Sequence, residues 1–220
     1  MFPASVRLAT AAALAALVLA GGGTRVQAQP QIVPPDVLVK NVTLEVVDII
    51  RQDKEIQAGD RKKVVALIET KVLPHFNFQS MTASAVGRNW DKASAEQKNR
   101  ITEEFRTLLV RTYASSIAAY SNQKFDFRPL RAKSTDTDVT VNVRVLQAGT
   151  QPVQIDYDME KRPNGWKVWD VRVGGISLVV NYRTEFDNQV REAGLDGLIK
   201  TLQAKNRSLE QGAVAGTEKK

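Results

Sequence analysis

Few residues in this chain have the type and spacing to do covalent or acid–base chemistry. The one histidine, His75, directly follows Pro74. One histidine can serve a catalytic triad, but a typical zinc site needs more ligands than that. His75 reads as a loop or surface residue. Ser177 stands in Gly175-Ile176-Ser177-Leu178-Val179. A nucleophile elbow requires G-x-S-x-G, and here branched Val179 replaces the second glycine and obstructs the tight turn. Ser177 is better read as the N-cap of a following helix. Asp156 and Asp158 share one face of a strand, with Asp170 on the next. Paired carboxylates can do acid–base work. Here they read as a solvated polar face, with Asp170 bonded to a nearby arginine. No phosphate loop, dinucleotide fingerprint or calcium loop is present. The chain has no cysteine, which excludes thiol chemistry, thiolate metal sites and disulfides. The expectation is a protein without metal or cofactor that is not an enzyme.

The elements that carry these residues can be read from periodicity and caps. Asp36 is the expected N-cap of a helix to about Gln52, with Leu38, Val42, Val46, Ile49 and Ile50 on one face. A turn containing Gly59 leads to a second helix over 61–73, which Pro74 ends. Asn77 caps a short helix that closes at Gly87. Ser94 and Gln97 form a capping box for a long helix to about Tyr120. After Ser121 the apolar period drops from about 3.6 residues to about 2. Strands are predicted at 124–131, along the alternating valines 139–145, over 153–159, and over 166–173, the last two joined by Pro163-Asn164-Gly165. In the fourth strand Trp166 and Val168 have one parity and Trp169, Val171 and Val173 the other. Either both faces are covered or a bulge shifts the register. Gly174-Gly175 then releases the chain into a helix over 176–193, Gly194 breaks it, and a last helix spans 196–205. This order gives an α+β fold: several helices over one face of a curved four-stranded antiparallel sheet.

The two ends read differently. Residues 1–28 have a basic start at Arg7, an apolar run over 8–20, and Val26-Gln27-Ala28 before a cleavage point, which is the pattern of a secretory signal peptide. The run is shorter than the roughly 20 residues that span a bilayer. No cysteine follows the cleavage point, so a lipid anchor is excluded. Removing the leader, with Arg7 and Arg25, lowers the net charge from +7 to +5. That excess suits an anionic partner such as a phospholipid headgroup or an acidic protein surface. Nucleic acid is not expected, because the basic residues are scattered among acids. Residues 29–206 read as one domain and 207–220 as a disordered tail.

What remains is an apolar and aromatic interior. Phe76, Phe78, Met81, Trp90, Phe105, Tyr113, Tyr120, Tyr157, Trp166, Trp169, Tyr182 and Phe186 lie on faces that converge between helices and sheet. A filled core and a ligand pocket give the same binary pattern, so periodicity leaves both open.

Several segments together resemble a known family. They are Val72-Leu73-Pro74-His75-Phe76-Asn77-Phe78, Val86-Gly87-Arg88-Asn89-Trp90 with Ala93, Ser94 and Gln97, and Trp166-Lys167-Val168-Trp169-Asp170-Val171. The most specific is Gly175-Ile176-Ser177-Leu178-Val179-Val180-Asn181-Tyr182-Arg183 with Phe186, and Gly197-Leu198-Ile199, Leu202 and Lys205-Asn206 close the pattern. Over about 36–206 the chain is similar to MlaC, the toluene-tolerance family of periplasmic phospholipid-binding proteins. It departs at Asn77 and Gly174, where the family usually or often carries an acidic residue. The resemblance implies a periplasmic carrier. It would shuttle phospholipid between an outer-membrane lipoprotein–porin complex and an inner-membrane ABC transporter with an MCE-domain ring. The family is chiefly tied to retrograde movement, which maintains outer-membrane lipid asymmetry. It further implies an apolar pocket between sheet and helices, near or above the roughly 1,000 Å³ upper range of ligand sites. Inward parity then selects Phe76, Met81, Trp90, Phe105, Leu109, Tyr113, Val141, Val143, Ile155, Tyr157, Val171, Val173, Val179 and Tyr182 as lipid-binding residues. Three rivals stand beside the carrier: a lipid hydrolase using Ser177 and His75, a periplasmic chaperone or adaptor that binds apolar protein segments, and a structural partner with a filled core.

Overall fold

The computed structural model of the chain describes residues 32–119 and 122–217, with side chains up to 211. The predicted leader lies outside the described residues.

Helix α1 spans Pro35–Gln52. Pro34 precedes it in an extended conformation and Pro35 supplies the first helical φ, so no side chain caps it. Asp36, predicted as the cap, sits inside the first turn, where its charge faces the positive end of the helix. Asp53 caps a one-turn helix, α2 (Lys54–Gln57), by accepting from the amides of Glu55 and Ile56 at 2.8 and 3.1 Å. Asp60 caps α3 (Arg61–Leu67). The predicted helix over 61–73 does not stay α-helical. It widens to a π turn at Ile68–Val72 and tightens to a 3₁₀ turn at Leu73–His75. Pro74 has no N–H, and its ring would clash with the carbonyl four residues back, so the helix must change pitch before it.

Helix α4 (Phe78–Val86) is capped by Asn77, whose side chain accepts from Ser80 N, and ends at Gly87 with φ 60°. Helix α5 (Ala95–Ala118) opens on the complete Ser94–Gln97 capping box. Helix α6 (Arg183–Thr217) is broken at Gly194, φ 70°. It runs on past Arg207, where composition predicts disorder.

The sheet is a meander in sequence order, every neighbour antiparallel: β1 (Lys124–Phe127), β2 (Asp138–Leu146), β3 (Val153–Arg162), β4 (Gly165–Val173) and β5 (Ile176–Ser177). It has five strands rather than the four expected. The parity change in β4 is a bulge: Met159 pairs with Val168 and Asp158 with Asp170, leaving Trp169 unpaired. Trp166, Val168 and Val171 therefore pack in one cluster despite their mixed parity. Gly174 and Gly175, at φ 58° and 85°, form a two-residue hairpin that only residues tolerating positive φ can make. The chain thus returns along β4 as β5, passes a 3₁₀ turn at Val180–Tyr182, and becomes helical at Arg183 rather than Ile176. The other half of the β4 edge is met by the loop before α4, where Phe76 bridges Val168 and Asn77 N donates to the Val168 carbonyl at 2.8 Å.

The apolar interior falls into three clusters among the described residues. One joins α4, α5 and α6 around Phe105, Phe186, Leu198 and Leu202. A second lies on the sheet around Val141, Val143, Met159 and Trp166, with Val39 of α1. A third lies between α1, α3 and α5 around Val46, Ile50, Leu67 and Ala114. A domain of this size commonly has one contiguous core with small satellites. Here α1 joins the second to the third, α5 joins the first to the third, and Phe76 borders both the first and the second.

Candidate functional site

The residues selected by inward parity divide between two of these clusters. Met81, Phe105, Leu109 and Val179 are buried in the helical cluster, and Trp90, Tyr113 and Tyr182 border it, partly exposed. Val141, Val143 and Val171 are buried in the sheet cluster, and Ile155, Tyr157 and Val173 border it, partly exposed. Only Phe76 packs against both. The most enclosed, Phe105 and Val179 at 0% exposure and Val143 at 1%, are in close contact with protein on all sides. The half-buried ones present apolar surface that the fold itself does not cover. A groove on the outer, polar face of the sheet involves none of these residues.

Aromatic contacts fix the helical side. The ring of Phe105 meets those of Tyr182 and Phe186 nearly edge-on, at centroid distances of 5.1 and 5.2 Å. Burial pushes the Tyr182 hydroxyl up to about 12, and this hydroxyl is hydrogen-bonded to the side chains of Tyr113 and Thr112. It is a polar handle at the margin of an otherwise apolar cluster.

The sheet side holds residues that parity selection missed. Phe125 and Phe127 stack at 6.3 Å on β1, and Leu38, Leu130, Val139 and Leu178 join the same cluster. The period-2 pattern Lys124-Phe125-Asp126-Phe127 carried the signal for the two phenylalanines.

The candidates for chemistry do not assemble. His75 sits beside Phe76, which bridges Val168, whereas Ser177 pairs with Arg172. With Trp169 bulged out, those positions on β4 are three ladder steps apart, roughly 10 Å at the strand rise of about 3.3 Å per residue. Burial, and then the charge of Lys167, hold the His75 imidazole below its usual range. Ser177 Oγ accepts from the amides of Val179 and Val180 at 3.2 and 2.8 Å, capping the 3₁₀ turn, and hydrogen-bonds to Asp170.

The three aspartates are not a solvated face. Asp156 and Asp158 are each 8% exposed and Asp170 is 3% exposed. Asp156 accepts from Asn142 and Gln154, and Asp158 accepts from Thr140 at 2.6 Å and Arg172 at 3.0 Å. Asp170 bonds no arginine. It takes the Ser177 hydroxyl and the Val171 amide, and burial raises its carboxyl above the ordinary range. Cross-strand partners absorb these carboxylates into structure. No group of three or more potential metal ligands occurs among the described residues, and no helix there is long and apolar enough to cross a membrane.

An antiparallel meander with helices over its apolar face, and a divided interior edged by half-exposed aromatic and branched side chains, is an architecture shared with a phospholipid-binding protein of Ralstonia solanacearum. That protein was solved in complex with a phospholipid. The two superpose with a TM-score of 0.75 at 36% identity, over 81% of this chain and 99% of the other. A family model described as MlaC protein matches residues 40–204, and the chain belongs to that family. It is 23% identical over 172 residues to the intermembrane phospholipid transport system binding protein MlaC of Haemophilus influenzae, covering 77% of this chain and 80% of that one. It is 25% identical over 170 residues to the toluene tolerance protein ttg2D of Pseudomonas putida, covering 76% and 78%.

Proposed function

We propose that this protein is a periplasmic phospholipid carrier and not an enzyme. It takes acyl chains between the sheet and the helices and moves lipid between an outer-membrane lipoprotein–porin complex and an inner-membrane ABC transporter with an MCE-domain ring. That traffic maintains outer-membrane lipid asymmetry. The observation that carries this reading is the division of the interior into three clusters with half-exposed apolar residues along their margins. Partly buried apolar side chains occur on every globular protein; here they border each of the three clusters. An acyl chain lying between the clusters would cover them.

The energetics fit the task. A buried methylene is worth about 0.8 kcal/mol, so one acyl chain of around 15 carbons costs on the order of 10 kcal/mol to expose to water. Free lipid therefore crosses an aqueous gap very slowly. An apolar interior makes the transfer out of a bilayer nearly neutral, and direction then comes from the partners at each membrane. The predicted leader supplies the address. The names of the relatives, a phospholipid transport binding protein and a toluene tolerance protein, support the reading.

Native mass spectrometry of the protein isolated from the periplasm tests it. The expected result is a mass increment that organic extraction identifies as phospholipid, regained when stripped protein is mixed with vesicles. Protein that carries no lipid and takes none up overturns the proposal. A co-purifying apolar peptide in its place would establish the chaperone reading.

A further inference from the structure

The outer face of the sheet carries a groove of about 630 Å³, on the side away from the apolar clusters. Its walls include Arg128, Arg131 and Arg144, with Thr140, Asn142 and Gln154 between them. The nearby carboxylates are already engaged. Asp126 accepts from Arg144 at 2.6 Å and lies 3.5 Å from Arg128. Asp156 and Asp158 are buried under Asn142, Gln154, Thr140 and Arg172. Arg131 is exposed, and among the described residues no carboxylate lies within ion-pair distance of it. The groove therefore presents guanidinium groups and neutral amide and hydroxyl groups.

A second observation concerns the backbone. Strand β1 pairs with β2 only from Leu146 to Val143, and Arg128 N then donates to the Asn142 carbonyl. Strand β2 runs on to Asp138, so its residues 138–141 have no strand partner on that side. Thr140 belongs both to this unpartnered stretch and to the groove wall. Pro129 and Arg131, which follow β1, line the groove together with Thr140 and with Gln154 of β3, so what lies open is an arginine-walled face of the sheet, and arginines select carboxylate side chains.

We infer that this groove is a docking site for an extended acidic segment of a protein partner, laid across this face with its carboxylates on Arg128 and Arg131. A concave surface favours a chain over a flat membrane. None of the exposed large apolar residues, such as Ile176 or Val180, lines the groove, whereas surface-bound membrane proteins bury apolar side chains. The site is separate from the apolar interior, so a docked carrier keeps its lipid-binding faces free. The inference does not rest on the carrier reading.

The test compares the exported protein with its Arg128→Ala/Arg131→Ala variant. The probe is a fluorescein-labelled peptide of alternating glutamate and valine, followed by anisotropy. The wild type is expected to bind it, about tenfold or more tightly than the variant. Binding is expected to fade as salt rises from about 50 to about 300 mM. Both residues are exposed, so unchanged circular dichroism and lipid content are expected in the variant. Equal affinity in the two proteins, or no binding by either, overturns the inference. So does arginine-dependent binding to phosphatidylglycerol vesicles without peptide binding. Lipid content of the wild type is scored separately: a lipid-free protein that still binds the peptide sinks only the carrier reading.

Discussion

The ring of Phe105 on α5 meets the ring of Tyr182 edge to face, 5.1 Å between centroids, and so ties the long helix to the segment that leaves the sheet. Phe105 is fully enclosed, whereas Tyr182 keeps one side open. The difference marks Phe105 as a packing residue. Phe105→Ala should destabilise the lipid-free protein by about 3–5 kcal/mol, as deletion of a buried aromatic does. Thermal melts of stripped protein read this directly.

Ile155 and Val173 face each other across β3 and β4 and are both only partly buried. Filling that margin with Ile155→Trp should leave stripped protein within about 1 kcal/mol of wild type while sharply lowering the lipid taken up from vesicles. A large stability loss with normal uptake would place Ile155 in the solid core instead.

Removing lipid should lower the melting temperature. A ligand at about 100 times its dissociation constant stabilises by about 2.7 kcal/mol. In a domain of this size that is roughly 5–10 °C. Scanning calorimetry before and after organic extraction measures the shift, which should vanish on reloading.

Asp170 gives a signed pH effect. Its carboxyl is raised above 3.8 by burial, so the folded protein holds this proton more tightly than the unfolded chain. The stabilising contribution is present at pH values below 3.8 and is lost as pH rises through the folded value. Asp126 and Asp187, held low by Arg144 and Arg88, contribute in the opposite sense, losing stability as pH falls below 3.8. Comparing Asp170→Asn with wild type isolates the first trend. The variant should gain on the wild type between about pH 4 and pH 7 in urea titrations. A constant difference across that range would contradict the assignment.

Asn77 explains one departure from the family pattern. Its side-chain amide donates to Glu160 at 2.6 Å while its oxygen caps α4 through Ser80 N. Asn77→Asp would set two carboxylates against each other. It should destabilise by about 1–2 kcal/mol, and Glu160→Gln should recover most of the loss in the double variant.

Features set by a few adjacent residues were legible in the sequence. The Ser94–Gln97 box, the Gly87 and Gly194 breaks, the alternating valines of β2 and the turn at Pro163-Asn164 all appear where local chemistry puts them. The bulge was foreseen as one of two options, but only the pairing of Met159 with Val168 locates it at Trp169. Distant partners hid the rest. Ile176 and Ser177 read as the start of a helix because nothing local shows that Arg172 and Val173 will pair with them. The aspartates looked solvated because Asn142, Thr140 and Arg172 reach them only once the strands align. Which apolar residues are sealed and which stay at a margin depends on how the helices settle against one another and the sheet. Phe105 and Tyr113 therefore read alike in sequence and differ in burial.

The three separate clusters have a mechanical consequence. Helices α1 and α5 each run unbroken through two of them, so a push on the packing of one cluster is carried along a stiff rod into the next. The joints are few: Phe76 at one corner, α1 and α5 along the others. What disturbs the margin of one cluster is therefore felt in its neighbour, and the three act as one linked frame rather than as independent cores.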